Sequence, residues 1–91
     1  MAEIIVRKRI TFTYRAPEAG AVFLTGTFNG WNREANPLKK NKEGIWRTTL
    51  NLFPGYYEYR FIVDGRWEGD PNCQRRRLNR FGDYDCVLRM D

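Results

Sequence analysis

The sequence contains no histidine and no serine. Without an imidazole there is no side chain with an ordinary pKa near neutrality to act as a base, and without a serine hydroxyl the commonest acyl-transfer nucleophile is missing. Cysteine occurs only at Cys73 and Cys86, with no histidine to activate either thiol. The same gap excludes a zinc site, whose ligands are drawn mostly from cysteine and histidine. No apolar run approaches the ~20 residues of a membrane-spanning helix, and Met1-Ala2-Glu3 does not begin a charged-then-apolar leader. Helical periodicity is also missing from every stretch longer than about ten residues. The acids Asp64, Glu68, Asp70, Asp83 and Asp85 could in principle supply the carboxylate pair of a glycosidase. They fall in turns and loops of a chain too small to build a deep desolvated cleft. These absences predict a protein that is not an enzyme, needs no cofactor or metal, crosses no membrane and resides in the cytoplasm. In that compartment two cysteines more often stay as thiols than bond.

What the chain does have is aromatic. Phe, Tyr and Trp make up 15% of 91 residues, and so many rings must either fill the core or serve a surface. The length predicts one domain over residues 1–91 with a modest core. Sixteen basic against eleven acidic residues give a net charge of +5, which permits an anionic partner without requiring one.

Period-two patterns set the architecture. Tyr57, Tyr59, Phe61 and Val63 share one face of a strand, and Glu58, Arg60 and Ile62 the other. Asp64-Gly65 supplies a tight hairpin turn, so that Arg60 and Trp67 fall on the same exposed side. Residues 4–14 alternate from Ile4 through Val6, Ile10, Phe12 and Tyr14, interrupted by Lys8, and read as a first strand at a sheet edge. Residues 21–25 read as a second, buried strand, with Gly26 a bulge or a point of close approach. Residues 44–52 place Trp46, Thr48, Leu50 and Leu52 on one face, which makes Trp46 a core indole. Residues 85–90 form a last strand with either Cys86, Leu88 and Met90 or Val87 inward. Residues 32–43, with Pro37 and the lysines 39, 40 and 42, read as a loop, as do residues 68–82. At least five short strands with turns between them predict an all-β antiparallel sandwich with no substantial helix. Trp31 and Trp67 each follow a turn, at Asn29-Gly30 and Asp64-Gly65. Each either packs over an end of the sandwich or offers its indole to a ligand.

Two stretches carry a family resemblance. Phe23-Leu24-Thr25-Gly26-Thr27-Phe28-Asn29-Gly30-Trp31 resembles the Gly-x-Phe-Asn-x-Trp motif of glycogen-binding domains in the β subunits of AMP-activated protein kinase. Tyr59-Arg60-Phe61-Ile62-Val63-Asp64-Gly65-Arg66-Trp67, followed by Asp70-Pro71, is similar to that family's Tyr-Lys-Phe-x-Val-Asp-Gly-x-Trp…Asp-Pro. Such domains belong to carbohydrate-binding module family 48. The resemblance implies an immunoglobulin-like β-sandwich of the early set that binds α-1,4-glucans. It implies sugar stacking on Trp31 and Trp67 and hydroxyl bonding by Arg60, which stands where relatives carry lysine. It also implies contacts from Phe81, Asp83 and Asp85, where relatives carry leucine, threonine and asparagine. Asp85 could then accept hydrogen bonds from sugar hydroxyls but not donate them.

The arginines at 75, 76, 77 and 80 precede those last positions. They read as a solvated loop or as a surface for an acidic protein or a phosphorylated glucan. An alternative to glucan binding is therefore a protein-docking module on the same fold, its sugar site decayed and its basic loop recruiting a partner. Nucleic-acid binding has only the positive charge behind it, since no recognition motif is present.

Overall fold

Strand alternation governs the computed structural model, which describes residues 6–91. In chain order the strands are β1 (Lys8–Arg15), β2 (Val22–Gly26), β3 (Asn36–Pro37), β4 (Lys39–Lys40), β5 (Ile45–Leu52), β6 (Gly55–Val63), β7 (Arg66–Glu68), β8 (Arg76–Leu78) and β9 (Tyr84–Met90). One sheet has the order β1-β5-β4 and the other β3-β2-β6-β9-β8, with β7 also paired to β6. All pairings are antiparallel. Among the described residues the only helical element is a single 3-10 turn at Thr27–Asn29.

The sheets close on each other because each has one apolar face. Phe12, Trp46 and Leu52 of the smaller sheet meet Val22, Leu24, Tyr59, Phe61 and Val63 of the larger. Phe61 and Leu24 are fully buried, each burial stabilising the fold by about 1.5–3 kcal/mol. The rings of Phe12 and Tyr59 meet edge to face with centroids 5.0 Å apart. Trp46 is the core indole its periodicity predicts, and its Nε1–H donates to Ala16 O at 2.8 Å. The all-β antiparallel sandwich expected from the strand pattern is the fold that forms.

Several local expectations change. The first strand begins at Lys8, and Ile4 lies outside the described residues. Residues 36–40 are not simply loop. Asn36–Pro37 pairs with β2 at one sheet's edge and Lys39–Lys40 pairs with β5 in the other sheet. Buried Leu38 sits between them and donates its N–H to Val22 O at 2.9 Å. Proline is tolerated there because an edge strand has one side free of ladder bonds. Residues 76–78 likewise form an edge strand beside β9. In β9 it is Cys86, Leu88 and Met90 that pack on the core.

The cysteines, expected as thiols, form a disulfide between Cys73 and Cys86. Pairing of Arg76 with Cys86 holds the start of β8 against β9, and a bend at Gln74 just before it lets Cys73 reach Cys86.

The larger sheet is forked. Along one edge of β6, residues from Gly55 to Tyr59 pair with β9, whereas Phe61 to Val63 pair with β7. Arg60 lies at this fork with no register partner on that side, while on the other side it faces Thr25 of β2.

Candidate functional site

Both turns that deliver tryptophans to the outer face of the larger sheet are locked by their own polar groups. Asp64 and Gly65 hold φ values of 48° and 81°, the left-handed pair that a two-residue hairpin needs. Asp64 Oδ1 also accepts from the N–H groups of Gly20 and Ala21, both at 2.9 Å. Trp67 then pairs with Ile62 in register, which places its indole on the outer face. It remains 41% exposed.

The other turn hangs on Asn29. Its Oδ1 accepts from Gly26 N–H at 3.1 Å, and its amide nitrogen donates to Leu24 O at 3.1 Å and Asn36 Oδ1 at 2.7 Å. Gly30 and Trp31 follow with φ of 64° and 61°. A left-handed conformation costs a non-glycine residue about 1–2 kcal/mol. Trp31 is held in it by its N–H, which donates to Gly26 O at 2.8 Å. The outcome is a pair of indoles from distant parts of the chain, with ring centroids 6.4 Å apart and planes tilted by 46°.

Beneath them lies Arg60. The sequence places it on an exposed side, yet it is only 8% exposed, because the Trp67 indole and the chain leading into β9 cover it. Its guanidinium carbon is 5.7 Å from the Trp67 ring centroid, within cation-π range. Its Nη2 bonds Asp83 Oδ2 at 2.9 Å. Its Nε has no partner, and neither has the buried Oγ1 of the cross-strand neighbour Thr25. The Asp83 carboxyl is held below the usual carboxylate range, first by the Tyr84 N–H and then by the charge of Arg60.

The remaining expected site residues divide. Phe81 stands out into solvent at 81% exposure, with the Arg80 guanidinium 5.0 Å from its ring centroid. Asp85 is covered, 6% exposed, and its Oδ1 accepts from the Asn79 amide at 3.1 Å. Asn79 organises the whole hairpin, since its Oδ1 also accepts from the N–H groups of Phe81 and Asp83. The structure thus brings Trp31, Arg60, Trp67 and Asp83 together, with Phe81 on the adjoining tip and Asp85 beneath. Asp70, in the Asp-Pro pair, serves the fold, since it accepts the Tyr59 hydroxyl's hydrogen bond. Burial first, and then this bond, push the Tyr59 pKa far up, so the phenol stays neutral.

Sequence reasoning missed Arg33. Its Nη2 donates to Gly65 O at 3.3 Å and its guanidinium lies 5.7 Å from the Trp67 centroid, so it steadies the indole from the Trp31 side. Nothing in a polar stretch marks such a residue.

Comparison with known proteins identifies the family of the chain. The family described as the glycogen recognition site of AMP-activated protein kinase matches residues 8–89. Protein PTST homolog 2, chloroplastic, of Arabidopsis thaliana is 47% identical over 53 residues, covering 58% of this chain and 10% of that protein. Phosphoglucan phosphatase DSP4, amyloplastic, of Castanea sativa is 34% identical over 77 residues, covering 84% of this chain and 20% of the phosphatase. The human 5'-AMP-activated protein kinase subunit beta-2 is 35% identical over 51 residues, covering 56% of this chain and 18% of that subunit. The chain therefore spans no more than a fifth of the length of these relatives. With a match running from the start of β1 to the penultimate residue of β9, and with both tryptophan turns inside it, the chain belongs to the glycogen-recognition family of AMP-activated protein kinase, an immunoglobulin-like carbohydrate-binding module of family 48.

Proposed function

We propose that the chain acts as a non-catalytic module binding α-1,4-glucans such as glycogen, starch or maltooligosaccharides, with Trp31 and Trp67 as the stacking platforms. The observation that carries this reading is the indole pair, 6.4 Å apart and tilted by 46°. An α-1,4-linked chain curves, so successive glucose rings are inclined to one another. Two inclined indoles suit such a chain better than a flat one. Stacking uses rigid side chains already in place, which keeps the entropy of ordering small. In this reading Arg60 donates to ring hydroxyls, Asp83 both orients Arg60 and accepts from a hydroxyl, and Phe81 covers the far side of the sugar. Asp85 supports Asn79 and the hairpin rather than meeting the ligand directly.

The protein-docking alternative draws on the acid at position 85 as a sign of decay. The placement of Asp85 fits the glucan reading, because it holds Asn79 and so the hairpin that carries Asp83, the ion-pair partner of Arg60. The test is a calorimetric titration with maltoheptaose and with β-cyclodextrin at high protein concentration. Heat is expected from the native chain, and none from Trp31→Ala or Trp67→Ala, with thermal unfolding little changed in Trp67→Ala. Absence of heat from the native chain with both sugars would overturn the reading.

A further inference from the structure

Arg76 is a cation that the glucan site does not employ. It opens the exposed edge strand β8, and among the described residues no carboxylate lies within ion-pair distance of it. Its neighbour Arg77 is engaged with Glu58 at 3.5 Å. Arg76 instead lines a cleft of about 210 Å³ at the fork of the larger sheet, together with Arg60, Asp70, Pro71, Asp83 and Tyr84. At roughly 30 Å³ per water molecule, that space holds about seven waters, or one tetrahedral oxyanion with a few waters around it.

The bonding inside the cleft decides what it would accept. Asp70 takes the Tyr59 hydroxyl on Oδ2 and the Asn72 N–H on Oδ1. Asp83 takes Arg60 on Oδ2 and the Tyr84 N–H on Oδ1. Each carboxylate oxygen of the two acids thus already takes one donor of the protein itself, and the charge of Asp83 is matched by Arg60. Among the described residues, the donor in the cleft that no protein group engages is the guanidinium of Arg76. A neutral hydroxyl is content with either kind of partner, whereas a phosphate monoester wants donors and positive charge. Arg75 and Arg80, nearby in the chain, add to the positive field. Arg60 both lines the cleft and lies under the Trp67 indole, so one residue joins the cleft to the stacking platform.

We propose that this cleft binds a phosphate monoester carried by the α-glucan, so that the module prefers phosphorylated over neutral chains. The inference rests on the α-glucan reading above, with Arg76 as the residue that adds the preference. The test is a calorimetric comparison of maltoheptaose with maltoheptaose phosphorylated on a 6-hydroxyl, at low salt, for the native chain and for Arg76→Gln. The phosphorylated sugar should bind about tenfold more tightly to the native chain, the gain expected of one added charge-assisted hydrogen bond. Arg76→Gln should erase that gain while leaving the affinity for neutral maltoheptaose unchanged. Millimolar inorganic phosphate should compete away the gain alone. Equal affinities in the native chain would overturn the proposal while sparing the glucan reading, and would leave the arginine strip to an acidic protein. A gain that survives in Arg76→Gln would overturn the placement in this cleft. Failure of both sugars to bind would remove the glucan reading and this inference with it.

Discussion

Asp83 is exposed, yet its carboxyl stays below the ordinary carboxylate range, with the Tyr84 N–H the larger cause and the Arg60 charge the next. A carboxyl with a depressed folded-state pKa contributes fully above its ordinary value and loses that contribution only as pH falls through the depressed one. Arg60 should therefore keep its partner, and the site its glucan affinity, from neutrality down to about pH 4, with weakening only below that. A carbon-detected NMR titration of Asp83 checks this. In Arg60→Met its pKa should rise only part of the way to the ordinary value, because the backbone bond remains. A complete return would show that the ion pair dominates. At this scale the sequence revealed much of the site: two tryptophans after two turn signals, and an arginine in phase with one of them. It could not show that Asp85 is covered, because that follows from its place beside Arg77 of β8 and from its bond to Asn79. Arg33 was equally hidden, since its contacts are with residues far along the chain.

The β2–β6 ladder is the element on which both indoles depend. It ends at Gly26 opposite Tyr59, where a side chain has no room: a Cβ would lie 2.4 Å from Glu58 O and 2.9 Å from the Phe28 ring. Its φ of −177° suits any residue, so the constraint is steric alone. Gly26→Ala should destabilise the fold by about 1–3 kcal/mol, as overpacked sites do, and should weaken glucan binding by displacing the Trp31 turn. Urea unfolding and the sugar titration measure the two effects separately, and an unaffected midpoint would count against the close approach. The long strands β1, β5 and β6 were legible because alternation over eight or nine residues is hard to mistake. β3, β4 and β8 were not, because two or three residues cannot show a period. Pro37, Lys39, Lys40 and Arg76 also have the composition of loops, and only their neighbours in space make them strands.

The whole molecule is fastened by one bond that its composition argued against. The Cys73–Cys86 disulfide closes a segment with a sequence separation of 13 residues. A loop of that length stabilises the folded state by about 3 kcal/mol through restriction of the unfolded chain. Reduction, or Cys73→Ala with Cys86→Ala, should lower the urea midpoint accordingly; equal midpoints with and without reductant would show that the bond does not form in solution. The forked edge of β6 bears on the module's history as well as its shape. Where β9 yields to β7, the exposed residues around the opening at 76–81 carry little of the apolar interior. Mutations there can change what the module prefers to grip without reopening the question of whether it folds. Divergent descendants of such a scaffold would be expected to differ first at that hairpin and last along β2 and β6.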